Sequence, residues 1–347
     1  MGERQETFGL VVKSTLAIAG IAVLVLTAVW LRELLVLVFG AVVIGVLIRG
    51  LADQVERRTP LNSSWSFYAA LLLIVLVFVG FAMLFGTQVV AQVSQLSETV
   101  PAMWEQVEQW LLTVPGGEAL LSSVQNFSRG GRGARASVPR VLGWLASAVT
   151  DFLLVLFGSI FIAANPGLYR RGVALLFPRH RRELANEALG ESGRAIKLWM
   201  VGQFISMAVV GTLTAIGLWL AGIPAALALG LIMGFLEIIP FIGPFLGSVP
   251  ILLMGLSAGP DKALLALIVV LVVQQAEGSL ITPLVQKKVI ALPPAVTVFG
   301  VIAGGLLFGP AGLLFAAPLL VVLFVLVKRL YVEEALDTPT NVPGRDD

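Results

Sequence analysis

Two carboxylates stand inside apolar sequence, and chemistry is most expected there. Glu237 lies in Gly234-Phe235-Leu236-Glu237-Ile238-Ile239-Pro240, and Glu277 in the polar patch Gln274-Gln275-Ala276-Glu277-Gly278-Ser279. A charge at the centre of a bilayer costs at least ~3 kcal/mol on insertion scales, so an ionisable residue in such a position is a functional-site hypothesis by default. Either glutamate could exchange a proton or coordinate a cation, because burial and neighbouring charges decide when a carboxyl holds its proton. The structural alternatives are a bond to backbone amides freed by a helix break, or a pair with Lys197 or Arg194. Asp151 is a third candidate, near the middle of the apolar stretch Val141 to Ala164; if that helix enters lipid only at Phe152, the aspartate is an ordinary interfacial residue. Gln203, Ser206, Thr212 and Thr214 fit hydrogen bonds between helices better than substrate contacts.

Other chemistries lack residues to carry them. The 347 residues include no cysteine, which removes thiol catalysis, thiolate metal sites and disulfides. The single histidine, His180, sits in the basic run Pro178 to Arg182 and reads as a solvated loop residue. No HExxH, GxSxG or P-loop pattern occurs, so no enzymatic activity, cofactor or metal is expected. Arg129, Arg132 and Arg135 fall in a Gly-rich stretch without aromatic interleaving, which reads as a loop and not as a nucleic-acid surface.

The elements that must hold these carboxylates are membrane helices. A chain that is 58% hydrophobic and 13% charged, with mean hydropathy +0.95, is far from the soluble average. Leu10 to Trp30, Leu34 to Leu51, Trp65 to Phe85, Val141 to Ala164 and Trp199 to Leu220 are each long enough to span, the first two joined by a tight polar turn at Arg32-Glu33. Between Gln88 and Arg140 the chain is too polar to span, and apolar residues at helical spacing predict one or two amphipathic helices. Further on, Ala225 to Ile239 and Phe245 to Leu256 flank a break at Pro240, Gly243 and Pro244. Ala295 to Phe308 and Ala311 to Val327 flank another at Gly309-Pro310, with Gly304 and Gly305 before it. None of these four limbs reaches the ~20 residues of a straight span. Ala263 to Ile281 is a full span between the two hairpins, followed by Pro283.

Broken helices at membrane depth survive only where they are packed in protein or line a wet cavity, and transporters place their sites there. A half-helix beginning at such a break would also aim backbone amides into the interior. Shifting the chain by 66 positions aligns Gly234 with Gly300, Gly243 with Gly309 and Pro244 with Pro310, as a repeat of the two hairpins would. Candidate hinges are Gly222 and Pro224 before the first hairpin and Pro293 and Pro294 before the second. With the N-terminus cytoplasmic, most of the 23 Lys and Arg residues fall on the cytoplasmic side, and so does the C-terminus.

Four stretches together closely resemble the autoinducer-2 exporter family of bacterial inner-membrane proteins: Glu237 to Pro244, Gln274 to Gly278 with Pro283, Leu292-Pro293-Pro294, and Gly304 to Gly312 ending at Ala317-Pro318. The resemblance implies an all-α polytopic fold with about eight membrane segments, two of them broken or re-entrant hairpins. It also implies efflux of a small polar solute such as autoinducer-2, or sodium/proton antiport, by homo-oligomers in membrane lipid, coupled to a proton or sodium gradient. The organisation read from the chain is N-terminal helices at 1–87, an external region at 88–140, helices with a basic loop at 165–197 within 141–222, a transport region at 223–330, and a polar tail at 331–347. A membrane scaffold that transports nothing is the alternative from another class.

Overall fold

The computed structural model describes residues 29–76, 138–281 and 292–345, together with 15, 19, 20, 23, 26, 27, 79 and 80. Most of the expected first span and of the external region at 88–140, together with Pro283, lies outside them. Among the described residues the chain is all helix: α1 (Arg32–Arg58), α2 (Ser63–Leu76), α3 (Val138–Ala164), α4 (Pro166–Ala174), α5 (Arg182–Leu220), α6 (Ala226–Leu236), α7 (Ile242–Ser257), α8 (Pro260–Ala276) and α9 (Pro294–Leu326). Among the described residues, four helical stretches are long and apolar enough to cross a membrane, or five if the bent pair α3–α4 is one span. This is a multi-pass membrane protein.

Proline and glycine set the boundaries. Pro166, Pro260 and Pro294 open α4, α8 and α9, where their missing amide costs nothing. Gly259, at φ 124°, breaks the chain between α7 and α8. Two expectations are corrected, and the tail adds a contact the sequence did not suggest. Leu31 accepts a bond from Leu35 and donates one to Thr27, so helical bonding continues through the place where a polar turn was expected at Arg32-Glu33. The basic loop at 165–197 is mostly helix: α4 leaves α3 at 90°, a short 3-10 turn covers Arg179–Arg181, and α5 runs for 39 residues from Arg182. The helix is about 58 Å long, so it also projects well beyond a ~30 Å hydrocarbon core. The polar tail folds back, with Val342 buried among Ala195, Val321 and Val325.

Both breaks reverse the chain. In the first, α6 (11 residues) and α7 (16 residues) pack together through Leu229, Met233 and Ile251, with α8 alongside. In the second, helical bonding runs on either side of Gly309, whose φ of 67° and ψ of −150° turn the chain. A Cβ on Gly300 would sit 2.5 Å from Leu320, and one on Gly304 2.8 Å from Ala316. In a straight helix these pairs would be roughly 18 to 30 Å apart, so 294–308 and 310–326 are limbs of a closed hairpin. The 66-residue correspondence does not survive: the left-handed residue of the first turn is Phe241 (φ 66°), not Gly243, and Gly234 packs on α5 while Gly300 packs on its own hairpin.

Among the described residues, α1 packs on α2 and α3 and, through Val43, directly on Ile196 and Met200 of α5. Ile48 and Ala52 of α1 meet Phe67 and Ala70 of α2 and Ala163 of α3. On the other side α5 and α6 approach backbone to backbone: a Cβ on Gly230 would meet the Gly211 carbonyl oxygen at 2.6 Å, and one on Gly234 the Met207 oxygen at 2.6 Å. The second limb of α9 presses Phe315 against Gly40 of α1 and Val321 and Val325 against Ala195 of α5.

Candidate functional site

Glu237 caps α6 at the first break, and Glu277 begins the π-helical turn Glu277–Ile281 that extends α8. They are 40 positions apart in sequence, yet the fold brings their carboxyl groups within hydrogen-bonding reach of each other. Glu237 is 2% exposed and Glu277 half-buried. Oε2 of Glu237 is buried and has no hydrogen-bond partner, and two ionised carboxylates could only accept from one another. The contact is satisfied when a proton or a cation lies between the oxygens. Two bare carboxylates this close in apolar surroundings cannot both stay charged without such a partner.

The structural alternatives are met by other groups. At the break, the Ile242 amide donates to Pro240 and the Gly243 amide to Ile239, so backbone bonds satisfy these donors and no glutamate is needed to cap α7. Those amides are therefore not free to hold an anion. The carbonyl of Glu237 accepts a 2.6 Å bond from Nε2 of Gln203 on α5. Arg194 donates to the Gly344 carbonyl and Lys197 lies against Gly50, so neither neutralises the pair.

Of the remaining candidates, Gln274 is half-buried one turn before Glu277, and its Nε2 has no hydrogen-bond partner. Gln275 is exposed, its carbonyl taken by Ser279. Asp151 is exposed on α3, which packs on α1, and does not join the pair. Gln203 makes the hydrogen bond between helices that its place in the sequence suggested, and its partner is the carbonyl at the break. Ser206 and Thr214 are buried, the Thr214 hydroxyl without a partner.

Gly243 and Pro244 are buried at the start of α7, where a Cβ on Gly243 would run into the Leu236 carbonyl oxygen. Gly304 and Gly305 line the interior of the second hairpin, and Pro310 opens its return limb. Pro293 is extended and Pro294 is the first residue of α9. The expected hinge at Gly222 and Pro224 is tied down: Gly222 (φ 66°) and Ala225 (φ 60°) are left-handed, and the Lys262 ammonium of α8 donates to the Ala221 carbonyl.

Near the pair, a cavity of about 490 Å³ separates the α1–α3 side from α5 and the hairpins. Gln203 and Ile238 form part of its wall, facing Val43, Phe152, Phe315 and Pro318, and its lining is apolar apart from Gln203 and the Trp199 indole. Among the described residues no group of three or more His, Cys, Asp or Glu could hold a metal.

The sequence as a whole has relatives among known proteins. The chain matches the AI-2E family transporter description over residues 18–331. It belongs to that family. Two AI-2E relatives in Bacillus subtilis (strain 168), named "Putative transport protein" YrrI and YueF, are 28% and 27% identical to it. The first match covers 72% of this chain and 73% of the relative, the second 80% and 78%. A Thermotoga maritima protein of similar name is 24% identical over 61% of this chain and 65% of its own length.

Proposed function

We propose that this AI-2E family protein is a secondary transporter in which Glu237 and Glu277 together take up and release a proton or a monovalent cation. The observation that carries the reading is their apposition: one carboxyl comes from a helix break and the other from the end of a separate helix. A relative movement of α8 against the first hairpin would part them and leave each carboxylate to find a new partner, which is the exchange a coupled cycle needs. Gln203 holds the broken backbone at Glu237 while the side chain changes occupancy.

Efflux of a small polar solute, with autoinducer-2 as the example, rests on the family resemblance. Sodium/proton antiport is the second reading, and the apolar lining of the cavity favours it, since a polar solute would find only Gln203 and the Trp199 indole to bond. The limbs of both hairpins are about 16 to 26 Å long, short of a ~30 Å hydrocarbon core, which supports re-entrant insertion within a total of about eight membrane segments. The distribution of basic residues supports an inner-membrane protein with both termini cytoplasmic. A homo-oligomer follows from the resemblance.

The test is flux in reconstituted vesicles, with imposed proton or sodium gradients, for autoinducer-2 and for sodium. Gradient-driven flux is expected in the native protein and its loss in Glu237→Gln and Glu277→Gln. Native flux in both variants, with unchanged pH dependence, would sink the reading and favour a membrane scaffold or a site elsewhere.

A further inference from the structure

Where α4, the start of α5 and the tail meet there is a second cavity, of about 540 Å³, and the transport reading does not use it. It is rich in arginine, and the arginines fall into two kinds. Arg329 and Arg345 are committed: Arg329 bonds Glu187 at 2.7 Å and Glu333 at 2.8 Å, and Arg345 bonds Glu191 at 3.1 Å and Glu333 at 2.8 Å. Arg170 and Arg194 have no carboxylate partner among the described residues. The two converge over Gly190: a Cβ there would lie 3.3 Å from Nη1 of Arg170 and 3.8 Å from Nη1 of Arg194. The two nitrogens are therefore at most about 7 Å apart. Two guanidinium groups within about 7 Å of each other beside one cavity, neither paired with the Glu187 and Glu191 carboxylates that also line it, favour an anion between them, and guanidinium groups suit phosphate oxygens best.

The surroundings say where the anion comes from. Arg170 sits on α4, which turns 90° from the membrane helix α3. Leu168, Tyr169 and Val173 on α4, with Leu175 and Leu176 just after it, are all exposed, Leu176 at 84%. Arg170, Arg171, Arg179, Arg181 and Arg182 follow among them. A short helix at right angles to a span, with bare apolar residues beside a basic cluster, is suited to lie in the headgroup layer. The pocket also carries an acceptor without a hydrogen-bond partner, Oδ1 of Asn186, which fits a hydroxyl or ammonium donor of a lipid headgroup better than a bare phosphate ion.

We propose that the cavity over Gly190 is a binding site for the phosphate headgroup of an anionic membrane lipid, gripped by Arg170 and Arg194 with its acyl chains beside α4. The purified full chain, in detergent, is titrated with phosphatidylglycerol and with phosphatidylcholine, and bound lipid is counted by native mass spectrometry. The expected result is preferential binding of phosphatidylglycerol, weakened about fivefold for each of Arg170→Gln and Arg194→Gln. Gly190→Val, which fills the space and leaves both charges, should weaken it too, whereas Arg171→Gln, outside the pocket, should not. Equal binding of the two lipids, or undiminished binding in the Arg170→Gln/Arg194→Gln double variant, would overturn the proposal. Displacement of the lipid by submillimolar inorganic phosphate would overturn the lipid source and leave a site for a soluble phosphate.

Discussion

Glu237 and Glu277 could be singled out one at a time, because the cost of a carboxylate in apolar sequence is local to each residue. Their meeting was not legible: 40 residues and a chain reversal separate them, and only the fold sets the register of α8 against the first hairpin. The Gly-Pro pairs carry the opposite lesson. Gly243-Pro244 and Gly309-Pro310 look alike in sequence but meet different physical demands. Gly309 has open space around it and a φ/ψ combination essentially restricted to glycine, so Gly309→Ala should cost about 1–3 kcal/mol through backbone strain alone. Gly243 is needed for close approach, and Gly243→Ala should force the first hairpin open at Leu236. Thermal unfolding in detergent should show both variants melting below the native protein. Only Gly243→Ala should also disturb the Glu237–Glu277 contact, read as altered pH dependence of flux. The paired carboxyls give a further expectation. In Glu237→Gln or Glu277→Gln an amide can still donate to the remaining carboxylate, so folding should persist while gradient-driven flux falls at least about tenfold, within the range of general acid–base contributions.

At the level of elements, the breaks were legible because proline and glycine act on their own neighbours. The 39-residue α5 was not, since a run of charge in 165–197 suggested loop. The four-residue spacing of Glu183, Glu187 and Glu191 is the helical signal within that run; it puts Glu187 and Glu191 on one face, where both meet Arg329. The packing also redirects the question of motion. The glycine contacts pack α6 onto α5, and Lys262 at the start of α8 donates to the Ala221 carbonyl at the end of α5, so the parting of Glu237 from Glu277 falls to the far end of α8, where Glu277 sits. Gly222→Ala, at φ 66°, should therefore lower the melting temperature, as should Lys262→Ala. Turnover per folded molecule should change little in Gly222→Ala, measured by flux normalised to folded protein; a slower rate with unchanged stability would support a hinge there.

Across the whole molecule, the tail is the part its composition hid. Lys328 donates to Asn341, Arg194 to Gly344, and Arg345 reaches Glu191 and Glu333, while Val342, an apolar residue amid polar ones, is 2% exposed. Glu333 lies beyond the apolar stretch that ends at Val327, and hydrogen bonds from Arg345 and then Arg329 hold its carboxyl down to about 2. A carboxyl depressed in the folded state supports docking fully above its ordinary value of 4.5 and loses that support as pH falls towards 2. A spin label at Thr340 should therefore gain mobility progressively between about pH 4.5 and 2. Glu333→Gln should be mobile already at neutral pH and much less responsive over that window.

The same tail sets an order of assembly during synthesis. Glu191, 4% exposed, bonds a residue 154 positions downstream, which at about 5–20 residues per second emerges roughly 8 to 30 s later. For that interval α5 must be inserted with one of its most buried carboxylates still waiting for Arg345. A ribosome that stalls before Val342 would release a chain with every broken hairpin made and this junction open, a difference that a quality-control protease could read.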